Sequence, residues 1–369
     1  MMERDYPIKL LEKALKTYSP SGRERELATL LKEEMKALGF RNVQLDKAGN
    51  VHGEVGGGSP TVMLCGHMDT VPGWIPVRFE DGRLHGRGAV DAKSALVAMI
   101  VAASLLELEN VSGRVLMVGV VDEERSSRGI RQLVDDGLKV DYAIFGEPSG
   151  VRNITFAYRG RLNFKVTCKT EAGHVGAQHL HRNAVEEAYG LWSRLKTFFK
   201  AKESPHGVFY SPTPIITGIR SEGGGFGVVP DECTVNVDLR LPPTLRCHEA
   251  LQIVKKLVEE YGREKPRVSV ELRVLDMVEP YVADRKSRLI RALKDSIREV
   301  LGVSARLIKK TGTGDMNIFG ASLGVPVATY GPGNSRLSHT KDEYIEVEEF
   351  LASIKVYKGA LERLLRPEN

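Results

Sequence analysis

Apolar positions along the chain repeat with two different periods, and the changeovers between them mark out its elements. From Pro7 to Gly39 the apolar residues fall three and four apart (Leu10, Leu11, Ala14 and Leu15, then Leu27, Leu30, Leu31 and Leu38), which predicts helix. Ser19-Pro20-Ser21-Gly22 interrupts that pattern as a turn, and Gly39 is placed to end it. Short β-rich runs follow at Val51–Val55, Thr61–Cys65, Arg114–Val121, Tyr142–Phe145 and Pro326–Tyr330, each ending at polar or glycine residues, and these predict buried strands. Asp91–Leu108 and Ser127–Asp136 between them read as helices. Such alternation predicts an α/β layer around a mostly parallel sheet, where ligands bind at the carboxyl ends of the strands.

The middle third is patterned differently. Leu162–Thr167 alternates, a helix is expected at Ala184–Phe199, strands at Ile215–Ile219 and Cys233–Leu239, a helix at Cys247–Tyr261, and a last strand at Arg267–Val274. The order βαββαβ predicts a small ferredoxin-like antiparallel sheet with two helices on one face. Helices at Arg288–Val300 and Glu348–Leu365 then resume the first pattern. The expected organisation is an α+β domain, residues 159–273, inserted into an α/β domain built from residues 1–158 and 274–369.

Composition narrows the class. With 42% apolar and 27% charged residues, the 369-residue chain has ample core and is not a disordered one. Its longest nearly uncharged apolar stretch, Ala95–Leu106, falls short of the ~20 residues of a membrane span. The N-terminal MMERDYPIKL lacks the apolar core of a signal peptide, so a cytoplasmic location is expected. Four scattered cysteines form no CxxC, which leaves neither a disulfide framework nor a thiolate zinc site. The net charge of +5 arises from 53 basic and 48 acidic residues that are interspersed, unlike the basic stripe of a nucleic-acid binder. A mild excess of this kind can still steer an acidic ligand or protein partner.

Candidate chemistry collects after the strands of the larger domain. Thr61–Cys65 leads into Gly66-His67-Met68-Asp69, Arg114–Val121 into Asp122-Glu123-Glu124, and Tyr142–Phe145 into Gly146-Glu147-Pro148. Asp91 stands where the Asp91–Leu108 helix opens, and Tyr330-Gly331-Pro332-Gly333 leads through Arg336 to His339. Taken singly, Asp91 is a helix N-cap, His67 a structural histidine and Glu123-Glu124 a charged turn. Together they gather imidazoles and carboxylates, without thiolates, at one sheet edge, a donor set suited to zinc, cobalt or manganese.

These segments resemble those of the M20 metallopeptidases and their amidohydrolase relatives. The matching motifs are Gly66-His67-Met68-Asp69-Thr70-Val71-Pro72, Gly86-Arg87-Gly88-Ala89-Val90-Asp91-Ala92-Lys93, Asp122-Glu123-Glu124, Gly146-Glu147-Pro148, Thr311-Gly312-Thr313-Gly314-Asp315-Met316-Asn317 and Ser338-His339-Thr340, in the family's order along the whole chain. The resemblance implies a di-metal hydrolase domain with a lid and dimerisation insert. It implies two divalent ions, Zn2+ and/or Co2+: His67 and Glu147 would hold one, Glu124 and His339 the other, and Asp91 would bridge them, followed by a cis peptide at Asp91-Ala92. Asp69 would orient His67 from behind, and Glu123 would be the general base that takes a proton from the attacking water and passes it to the leaving amine. His174, in Ala172-Gly173-His174-Val175-Gly176, would stabilise the oxyanion, in the family often from the neighbouring subunit. His179 and His181 read as surface-loop residues, and His85 as a packing residue. Arg240 and Arg336 are candidates for a substrate carboxylate, or else surface arginines.

Two positions depart from the family pattern. Gly227-Val228-Val229-Pro230 has Gly where many relatives carry Asn, and Gly314 stands where Ser is common. Within the family the pattern is most similar to deacylases of amino-acid biosynthesis, in particular hydrolases that release lysine or ornithine from the C-terminal glutamate of a small acidic amino-group carrier protein, in lysine and arginine biosynthesis. Such an enzyme is expected to be a homodimer or a dimer-based tetramer. Acetylornithine deacetylase, succinyl-diaminopimelate desuccinylase and small-peptide peptidase are the alternative activities. A non-catalytic metal-binding scaffold is the alternative of another class, and the intact Glu123 argues against it.

Overall fold

The computed structural model describes residues 5–366, and these divide into two compact units. One comprises residues 5–157, 283–309 and 314–366; the other comprises 158–282 with 310–313.

The first unit is organised around a mixed sheet whose centre is parallel. Its strands run side by side in the order Arg41–Leu45, Val51–Gly56, Arg114–Val120, Thr61–His67, Tyr142–Gly146, Val327–Tyr330 and Asn153–Tyr158. The four from Arg114–Val120 to Val327–Tyr330 are mutually parallel, and antiparallel strands flank them on both sides. Thr61–His67 is buried along its whole length, as a central strand covered on both faces must be. The helix expected from Asp91 begins at Lys93 and ends at Ser104; it packs against the helices Asp5–Lys16 and Val347–Leu365 and is buried on every side except at Ser104. That burial explains why this segment lacks a polar stripe.

Two glycines let this helix settle onto the sheet beside the chemistry. A Cβ at Gly66 would meet Met99 Cε at 2.8 Å, and one at Gly146 would meet it at 2.4 Å. Each precedes a candidate ligand, His67 or Glu147, so the close approach of helix and strand ends fixes where those side chains start. Sequence pattern alone passed over the strands Arg41–Leu45 and Asn153–Tyr158. It also passed over a small antiparallel sheet of Arg78–Glu80, Arg83–His85 and Tyr344–Glu346, whose members are only three residues long.

The second unit carries a four-stranded antiparallel sheet in the order Thr213–Glu222, Glu232–Leu241, Gly160–Lys169, Ser269–Val278. Helices Ala184–Lys200 and Cys247–Glu264 pack on it. Alternate residues Leu162, Phe164, Val166 and Cys168 meet Val235, Val237 and Leu239 of the next strand, and Leu191, Leu195 and Val254 of the helices, in one buried core. Both the βαββαβ order and the sheet order are ferredoxin-like. The strands are longer than their alternating cores suggest, because the ladder continues past the last buried apolar residue.

All four cysteines are free and buried. Among the described residues, no helix is long and apolar enough to cross a membrane.

Candidate metal centre

His67, Asp91, Glu123, Glu124, Glu147 and His339 all belong to the first unit. His67 is the last residue of the Thr61–His67 strand and is almost wholly buried. Its Nδ1 lies 2.8 Å from the carbonyl oxygen of Asp69. A carbonyl can only accept, so Nδ1 donates to it and Nε2 is the ring atom turned to the carboxylates. Nε2 lies 3.1 Å from Asp91 Oδ1 and 3.5 Å from Glu147 Oε1; protonated, it donates to them, and once deprotonated its lone pair is open to an ion.

Asp91 is the hub. While Oδ1 faces His67, Oδ2 lies 3.4 Å from His339 Nε2, and His339 Nε2 is 2.8 Å from Glu124 Oε1. Asp91 does not cap the following helix; that position is Ala92, which offers no side-chain cap, and the Asp91–Ala92 peptide is cis. The carboxylate is thereby left to serve two imidazoles.

Asp69 engages His67 mainly through its main chain. Its carboxylate is 3.7 Å from the His67 ring, and the backbone carbonyl holds the imidazole instead. The carboxylate accepts the backbone N–H groups of Glu123 at 3.0 Å and Glu124 at 3.1 Å, and the Ser21 hydroxyl at 2.7 Å. One residue thus fixes His67 through its main chain and the Glu123-Glu124 pair through its side chain.

The charges explain one another. Burial alone would lower the His67 pKa, yet the carboxylate of Glu147 and the hydrogen bond that Asp91 accepts hold it well above the ordinary histidine value. The bonds that Asp91 and Glu124 accept push His339 up to about 10. Asp91 itself is held below the carboxylate range: burial opposes this, but the bonds to His339 and His67 prevail. Glu123 goes the other way, raised first by burial and then by the carboxylates of Glu147 and Asp315. Burial likewise lifts Asp315 to about 7. A carboxyl with raised proton affinity beside ligand-like neighbours is suited to proton transfer.

This donor set fits divalent ions. Ligand atoms of His67, Asp91 and Glu124 lie within 4.8 Å of one another, the donors are nitrogen and oxygen, and Asp91 offers one oxygen to each side. Asp315 is a further buried acid in this neighbourhood, with the Ser127 hydroxyl beside it.

A model of peptidase family M20/M25/M40 matches residues 63–363, a stretch that contains every residue of this cluster. The chain belongs to that family. An M20 chain is a metal-dependent hydrolase. A Pyrococcus abyssi relative, named provisionally as a LysW-lysine/LysW-ornithine hydrolase, is 37% identical over 98% of this chain and 95% of its own length. The LysW-lysine hydrolase of Deinococcus radiodurans is 34% identical over 96% of each. Among solved structures, the Bacillus subtilis YXEP protein, described as a dinuclear metal binding peptidase of the M20 family, shares the fold with a TM-score of 0.74 and 14% identity, covering 98% of each chain.

The remaining M20 candidates lie elsewhere. His174, exposed in the second unit, sits in the two-residue strand Gly173–His174 paired to Val228-Val229, and its Nδ1 accepts the Gly176 N–H at 3.0 Å. His179 is exposed and His181 half-buried. Arg240, also in the second unit, holds Asp238 with two bonds of 2.7 and 3.0 Å. Arg336, in the first unit, is exposed on the short turn Ser335–Leu337 before His339. His85 is buried, its ring 5.2 Å from that of Tyr344. Sequence reasoning missed Glu343 and Arg87. Both are buried and charged, and Glu343 lies only four residues after His339, the one signal that could have raised it.

Proposed function

We propose that this chain is an amidohydrolase that releases lysine and/or ornithine from the C-terminal glutamate of a small acidic amino-group carrier protein, the counterpart of LysW in its named relatives, within amino-acid biosynthesis in the cytoplasm. The observation that carries the chemistry is Asp91, whose two oxygens are turned to two different imidazoles. The substrate class rests on relatives that match from end to end and carry that activity in their names.

His67 and Glu147 would hold one ion, Glu124 and His339 the other, and Asp91 both. Two such ions, Zn2+ or Co2+, polarise an amide carbonyl and acidify water when bound. The protein's own groups supply the proton traffic and the orientation. Glu123 takes the proton of the attacking water and delivers it to the departing α-amine. Asp69 keeps Glu123 and Glu124 in fixed relation through their backbone amides, so one carboxylate moves protons while its neighbour stays a ligand. The second unit would act as lid and dimerisation module, its His174 donating to the developing oxyanion. Arg336 is the better candidate for the substrate's carboxylate, because Arg240 would first have to give up Asp238. The net charge of +5 favours an acidic carrier over a neutral peptide.

A hydrolysis panel tests the assignment. Metal-supplemented enzyme should cleave carrier-linked lysine or ornithine with kcat/KM at least about tenfold above acetylornithine, succinyl-diaminopimelate and dipeptides, a gap of about 1.4 kcal/mol. Exclusive dipeptide cleavage would overturn the substrate class and leave the metal chemistry standing. For His174, mixing the inactive variants Glu123→Gln and His174→Ala should restore part of the activity if the lid histidine serves the neighbouring subunit. No recovery on mixing would assign it to its own subunit.

A further inference from the structure

Glu343 is a carboxylate with 1% exposure that no step of the proposed reaction uses. Burying such a charge is costly unless it is paired and hydrogen-bonded, and each of its oxygens is engaged. Oε2 accepts from Arg87 Nη1 at 2.8 Å, and Arg87 is itself buried and anchored by Nε to the Gly73 carbonyl at 2.9 Å. Oε1 accepts two backbone donors, the N–H of Val90 at 2.9 Å and of Asp91 at 3.0 Å. The main-chain carbonyl of Glu343 accepts the Gly86 N–H at 3.1 Å, and the ladder beyond pairs Tyr344 with His85. Residues 86 to 91 are therefore clasped by residue 343 through both its backbone and its side chain.

Glu343 also stands four residues after His339, so the segment that delivers one imidazole grips the backbone of the carboxylate meant to meet it. From this geometry we infer that Glu343, held by Arg87, is a positioning residue. It sets Asp91 in register with His339 and so completes the second metal position. The inference rests on the two-ion reading above. It adds that the spacing between Asp91 Oδ2 and His339 Nε2, 3.4 Å here, is controlled from a residue that touches neither ion.

Cobalt titration of the chelator-stripped full-length protein, followed by visible absorption and by metal analysis, separates the two readings. Wild type should bind two cobalt ions. Glu343→Ala should weaken the second equivalent about 10–100-fold, the usual cost of losing a residue that supports a ligand, and alter the visible spectrum while the first equivalent changes little. Glu343→Gln keeps an oxygen acceptor for the two amides and should recover most of the affinity, a rescue that a role in stability alone does not predict. If Glu343→Ala does not fold, Glu343→Asp retains the charge beside Arg87 and withdraws the acceptor by about 1.5 Å; it should show the same selective loss. Two wild-type equivalents with an unchanged spectrum in the variant that folds would overturn the positioning role alone. Fewer than two ions in wild type would overturn the two-ion reading and this inference with it.

Discussion

Glu123→Gln is expected to lower kcat by about 10³-fold or more, towards the upper end of what a positioned general base contributes, while leaving two ions bound. The substitution is nearly isosteric. It removes basicity and keeps the backbone N–H that Asp69 Oδ1 accepts at 3.0 Å, so the neighbouring Glu124 is not displaced. Burial and the carboxylates of Glu147 and Asp315 raise the proton affinity of Glu123, and an amide has no such proton to pass to the leaving amine. Steady-state rates on the carrier-linked substrate, with metal content measured on the same sample, check the prediction. Near-normal turnover would remove Glu123 from the mechanism, and lost metal with lost turnover would recast it as a ligand.

The pair Glu123-Glu124 shows what the sequence could and could not convey. Strand periodicity brought Thr61–His67, Arg114–Val120, Tyr142–Gly146 and Val327–Tyr330 to one sheet, because buried parallel strands are written as short apolar runs. The residues after those runs then had to gather at one edge. Periodicity could not say what each side chain does there. Asp91 reads as a helix cap in one dimension, yet it precedes the helix and turns its carboxylate to His67 and His339. Asp69 reads as a partner for the nearby His67, yet its carboxylate goes to amides more than fifty residues away. Glu343 bonds Asp91 across 252 residues of chain, and only its place four residues after His339 marks it. Such contacts depend on how strand ends and loops converge, and a window of neighbouring residues does not contain that information. The three-residue strands Arg83–His85 and Tyr344–Glu346, which bring residue 343 beside residue 86, are too short for any period to reveal.

Asp91→Asn is expected to abolish detectable turnover and to leave at most one tightly bound ion. The amide retains the shape of the carboxylate, but only one of its two end atoms is an acceptor with a lone pair to give, so it cannot serve both sides. Because Asp91 would be a direct ligand to both ions, the loss should exceed the ~10–100-fold that follows removal of a supporting residue. A second consequence is read in the metal-free protein. The bond to Asp91, followed by that to Glu124, raises His339 to about 10, where an unperturbed imidazole titrates near ~6.5. Removing the Asp91 charge should lower the His339 midpoint, with Glu124 still keeping it above the ordinary value. The sign carries over to metal binding. In wild type at neutral pH an ion must displace the His339 proton, so affinity rises with pH up to about 10, and in Asp91→Asn that rise should level off at lower pH. Imidazole titration by NMR and metal binding at several pH values measure both effects. Two retained ions, or an unmoved His339 midpoint, would show that Asp91 does not join the two halves of the centre.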